Sequence, residues 1–119
     1  MSIDPSALMP YRAVMGDDAD AFVADLIDSY LANSGDLLAG LESAMGGNDT
    51  EKFVRSAHTL KSNSAIFGAT ALSAFCQELE TVGKDGNLAG LQAKVDEMKK
   101  EYKQVCQELG ELRATLPKG

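Results

Sequence analysis

From residue 88 to residue 112, apolar side chains return at alternating steps of three and four: Leu88, Leu91, Val95, Met98, Tyr102, Val105, Leu109 and Leu112. That spacing keeps one stripe of a helix apolar over many turns. Such a seam is stable in water only when other helices cover it, so this chain is committed to a helical bundle. The spacing predicts a helix over 87–115, capped by Asn87, closed by Pro117 and about 40 Å long at roughly 1.5 Å per residue.

Glycine and proline divide the rest of the chain into helical segments. Asp4 and Pro5 read as the cap and first residue of a short helix over 4–15 that ends near Gly16. Asp17 or Asp18 caps a second over 18–45. Its broad apolar face holds Phe22, Leu26, Tyr30, Leu37, Leu41 and Met45, with Val23, Ile27, Leu31 and Leu38 beside them, and Gly46 with Gly47 stops it. Asn48 and Glu51 form a capping box for a third helix over 49–67, striped by Phe53, Ala57, Leu60, Ser64 and Phe67. Gly68 permits a left-handed end. A fourth helix over 70–83 turns Leu72, Phe75, Cys76, Leu79 and Val82 inward, and Gly83 to Gly86 reads as a turn. No segment alternates with period two for long enough to suggest a strand. Short connections make consecutive helices antiparallel neighbours. The expected fold is therefore all-α: an antiparallel up-down four-helix bundle with a short extra N-terminal helix, formed by residues 1–119 as a single domain.

Composition excludes several classes of function. Net charge is −7, no basic stripe is present, and Lys99, Lys100 and Lys103 are interleaved with Glu97 and Glu101, so no nucleic-acid partner is expected. The apolar runs are too short to span a membrane, and the first residues carry no basic-then-apolar leader. The expectation is a cytoplasmic monomer with no membrane insertion. Cys76 and Cys106 fall at helical apolar positions and read as reduced core thiols. With one histidine they cannot complete a zinc site without carboxylates, and no cluster of carboxylates reads as a metal site, so no metal and no cofactor are expected. There is no Gly-x-Ser-x-Gly elbow, no glycine-rich phosphate loop and no nucleophile–base pair to support an enzyme with turnover of its own.

The only histidine, His58, is therefore the candidate for chemistry. At 100° per residue it lies about 140° from the centre of the Phe53–Phe67 stripe, which puts it outside the core or at its edge. Lys61 shares its face, and Ala57, Ser62 and Ala65 flank it with little bulk. An imidazole beside a cation, with room around it, can hold an anionic group and still admit a large partner.

The segment His58-Thr59-Leu60-Lys61-Ser62-Asn63-Ser64-Ala65, followed by Gly68, resembles the signature of histidine-containing phosphotransfer (HPt) domains, His-x-Leu-Lys-Gly-Ser-Ser-Ala followed by Gly. The resemblance extends through Cys76-Gln77-Glu78-Leu79-Glu80 and Gly83-Lys84, and back to Gly16-Asp17-Asp18 with Phe22 and Leu26. It implies that His58 is phosphorylated and that Lys61 stabilises the phosphoryl group. Ser62 stands where the family most often has glycine. Glu80, at the position that faces the imidazole, replaces a frequent glutamine, and Lys84 matches a frequently basic position.

The partners so implied are response-regulator receiver domains, with a hybrid histidine kinase as a further source of the group. Magnesium and the acceptor aspartate would belong to the receiver. Val54, Ser62 and Ala65 form a low patch around His58 on the helix wheel and are the expected receiver-docking residues. The expected function is a phosphoryl carrier in a two-component phosphorelay, without turnover of its own. The alternative is a non-phosphorylated helical scaffold that binds a receiver or a partner helix, with His58 incidental.

Overall fold

Seven helical segments follow one another in the computed structural model, which describes residues 1–116. A 3-10 turn, Pro5–Leu8, leads into α1 (Met9–Met15), and a second, Gly16–Asp18, leads into α2 (Ala19–Gly46). Then come α3 (Thr50–Ala65), α4 (Thr70–Lys84) and α5 (Gln92–Ala114). There is no strand among the described residues. Helices α2 to α5 pack in chain order, and α5 closes the ring against α2, with α1 lying on α2. The result is the expected four-helix bundle with an extra N-terminal helix, about twice as long as it is wide at 48 × 22 × 21 Å.

The predicted stripes meet at its centre. Val23, Ile27 and Leu41 from α2, Phe53, Ala57 and Leu60 from α3, Leu72, Cys76 and Leu79 from α4, and Val95, Met98, Val105 and Leu109 from α5 are all essentially inaccessible. Each large aliphatic or aromatic side chain buried there contributes roughly 1.5–3 kcal/mol. Leu31 does not join them: it is 37% exposed. The stripe also carries polar groups that bind one another. Tyr30 and Ser64 hydroxyls lie 2.8 Å apart, and Ser34 and Tyr102 hydroxyls 2.7 Å apart. These bonds tie α2 to α3 and to α5 without an orphaned buried donor. Cys76 is buried and Cys106 only half-buried, so the latter is not a core thiol, and both are free.

The boundaries differ from the sequence reading where two turn chemistries share one residue type. Asn87 does not cap α5. Its Oδ1 accepts from the Ala89 N–H at 3.0 Å, making a local Asx turn, and Gly90 takes φ +77. The helix begins at Gln92 and is about 34 Å long. Leu88 and Leu91 still bury their side chains, but from the turn. Pro117, the expected stop, lies outside the described residues.

Asn48 is likewise not a cap. It takes the left-handed conformation (φ +53) that ends α2, a role asparagine tolerates, and Asp49 caps α3 by accepting from Lys52 N–H at 3.1 Å. The N-terminal helix over 4–15 is split between the 3-10 turn and α1, with Asp17 and Asp18 in the second 3-10 turn making no side-chain cap. Helix α3 ends at Ala65, and Phe67 is buried from the following turn. Gly68 does take the left-handed end, at φ +66. There the N-terminal segment crosses the bundle: Asp4 N–H donates to the Phe67 carbonyl, and a Cβ on Gly68 would lie 2.7 Å from that of Asp4.

Gly83 and Lys84, expected in a turn, form the last helical residues of α4. Gly83 is buried against α3, where a Cβ would come within 2.8 Å of Phe53 Cδ1 and 2.9 Å of Val54 Cγ2. The missing side chain lets the two helices close up. Gly83→Ala gains about 1 kcal/mol of helix propensity but forces the fully buried Phe53 ring to move, at a cost of roughly 1–3 kcal/mol. The expected result in urea unfolding is a lower midpoint with an unchanged slope.

Candidate functional site

His58 projects from the middle of α3 with 58% of its side chain exposed. Ala57 beside it is fully buried and belongs to the core stripe, not to the small patch around the ring. Ser62 and Ala65 are exposed, and Val54 is half-buried against α4. The α3–α4 contact that Gly83 permits brings Glu80 of α4 to the imidazole. His58 Nδ1 lies 3.2 Å from Glu80 Oε1 and 3.3 Å from Oε2. An ionised carboxylate only accepts, so Nδ1 carries the proton. The lone pair is then on Nε2, at the ring edge away from Glu80.

Glu80 is the centre of the cluster. Its side chain is only 6% exposed, yet it holds a charge, because cations reach it from both sides. Lys61 Nζ donates to Oε1 at 2.9 Å, and Lys84 Nζ, one turn along α4, stands 3.2 Å from Oε2. Lys61 also donates to Gln77 Oε1 at 2.8 Å. Gln77 was not singled out in the sequence, although it lies one turn before Glu80 on α4. The Lys61 ammonium holds the Glu80 carboxyl down at about 2; burial opposes this, while Lys84 and His58 add to it. The carboxylate is therefore permanently charged at neutral pH. Cys76, by contrast, is pushed up to about 12 by burial and is no nucleophile there. Among the described residues no three His, Cys, Asp or Glu side chains gather as a metal site.

A pH dependence follows from Glu80. Its folded value lies below the ordinary 4.5, so its contribution to stability is complete above about 4.5 and is lost as pH falls toward 2. Glu108, held to about 2 chiefly by the backbone N–H of Ser2, titrates in the same window. The comparison is therefore between wild type and Glu80→Gln. Thermal unfolding from pH 6 to pH 2 should show a smaller loss of stability for the variant.

The site is thus a solvent-exposed imidazole, its inner nitrogen bonded to a buried carboxylate, in the middle of one helix of a four-helix bundle. The profile of the Hpt domain matches residues 25–114, and the chain belongs to that family. The fold is similar to the crystal structure of histidine-containing phosphotransfer protein B (HptB) from Pseudomonas aeruginosa PAO1, with a TM-score of 0.84 and 26% identity over 98% of this chain and 97% of that one. No curated protein matches the chain. Its family makes it a histidine phosphotransfer protein of the phosphorelay type. No helix among the described residues is long and apolar enough to cross a membrane.

Proposed function

We propose that this chain carries a phosphoryl group on His58 Nε2, to or from the aspartate of a response-regulator receiver domain, and turns over no substrate of its own. The observation that carries this reading is the exposed imidazole with Nδ1–H directed at Glu80. In transfer from an aspartyl phosphate, the Nε2 lone pair attacks phosphorus and the P–O bond breaks. The aspartate leaves as a carboxylate. The Nδ1 proton stays where it is, so positive charge develops on the ring beside the Glu80 carboxylate, which stabilises it in advance. Lys61 and Lys84 keep that carboxylate ionised. Lys61 stands one turn from His58 on the same helix, and the family resemblance gives it the further role of stabilising the phosphoryl group. Magnesium belongs to the receiver.

Incubation with a phosphorylated receiver tests the proposal. A carrier acquires acid-labile phosphate, whereas a scaffold binds the receiver and remains unlabelled.

The receiver must bring its aspartate to His58 across Val54, Ser62 and Ala65. Ala65→Glu should change stability by no more than about 0.5 kcal/mol, because the site is exposed. It should slow transfer from the receiver about tenfold or more, through steric and charge conflict at the centre of the interface. Labelling by phosphoramidate, which needs no docking, should fall far less. Equal receiver transfer by the folded variant would place the docking face elsewhere.

A further inference from the structure

We propose that Arg55, and not only the lysines of the cluster, grips the phosphoryl oxygens on His58; this rests on His58 being the phosphorylated residue. Two cations near the imidazole already have a carboxylate. Lys61 and Lys84 both end on Glu80, and Lys61 is further held by Gln77. Their charge offsets that of Glu80 first. Arg55 stands one turn before His58 on α3, at the spacing that makes two side chains neighbours on a helix surface. It is exposed and lines the same shallow depression as His58, Glu80, Gly83 and Lys84. Among the described residues no hydrogen bond or ion pair holds its guanidinium. Glu51, the other acid on the rim of that depression, makes no ion pair with it.

The placement of the charges favours such a group. Attack by Nε2 brings a phosphoryl carrying about two negative charges to a chain whose net charge is −7. Lys61 and Lys84 both end on Glu80, which binds the ring at Nδ1 and not at Nε2. Arg55 has no carboxylate among the described residues to give up before it meets the phosphoryl oxygens. A guanidinium presents paired N–H donors that match two of those oxygens at once, which an ammonium does not. Arg55 also favours the approach of an anionic donor to this part of an acidic molecule.

The test uses the whole chain and phosphoramidate, whose P–N bond breaks with loss of ammonia as Nε2 bonds to phosphorus. Wild type, Arg55→Gln, Arg55→Lys and Lys52→Gln are labelled in parallel, and 31P NMR reports the phosphohistidine. Lys52→Gln removes one positive charge from the α2 side of α3, where Lys52 lies against Gly40 and outside the depression. Arg55→Gln should label about tenfold more slowly, and Arg55→Lys should recover part of the rate. Lys52→Gln should label like wild type, and only the Arg55 variants should shift the 31P signal. Equal labelling of Arg55→Gln and wild type would overturn the role of Arg55, as would an equal slowing by Lys52→Gln, which would indicate only a general field. Failure of wild type itself to be labelled would instead overturn the proposed function.

Discussion

His58→Gln should accept no phosphate from any receiver or from phosphoramidate, while melting within a few degrees of wild type. His58 is the only imidazole in the chain, so no second ring can take over. Its side chain is 58% exposed and, among the described residues, its hydrogen bonds go to Glu80, so glutamine fits without opening a buried cavity. Exposed substitutions of this kind usually stay within about 0.5 kcal/mol. Lys61 and Lys84 still hold Glu80 in the variant. Label retained by His58→Gln after alkaline treatment would show that another residue carries the group.

Glu80→Ala should have the next largest effect, because one side chain performs three tasks. On the proposed mechanism it fixes the Nδ1–H tautomer and supplies the charge that answers a phosphorylated ring, and it binds two lysines. Loss of preorganised charge of this kind costs about 100-fold or more in rate. Glu80→Gln separates the tasks. An amide oxygen still accepts from Nδ1–H but brings no charge, so about tenfold should be lost, with orientation preserved. Imidazole 15N shifts should report the Nδ1–H tautomer in wild type and Glu80→Gln, and a mixture in Glu80→Ala. Transfer rates for Glu80→Ala equal to wild type would remove Glu80 from the mechanism.

The helices were legible because burial is periodic. The steps between Leu88 and Leu112, and the stripe from Phe53 to Phe67, demand cover on one side, and the bundle supplies it. The angle between that stripe and His58 likewise set the imidazole on the outer face of α3. What the sequence hid was identity of role within one residue type. Asn48 and Asn87 both look like helix caps, yet one ends a helix in the left-handed region and the other closes a turn. Gly83 looks like punctuation, but its function is to have no side chain where Phe53 and Val54 press against α4. That contact is made across the bundle and leaves no local pattern. Arg55 left no signal either: what sets it apart is that it has no carboxylate partner among the described residues, which only the folded arrangement reveals.

The most direct measurement is to locate the phosphoryl group itself. The wild-type chain is incubated with a phosphorylated receiver, digested under alkaline conditions and read by tandem mass spectrometry, with 31P and 15N NMR on the intact protein to identify the ring nitrogen. One acid-labile phosphoryl group is expected, on Nε2 of His58, with the ring proton on Nδ1. Phosphate on any other residue, or on Nδ1 of His58, or a receiver that binds and keeps its phosphate, would contradict it.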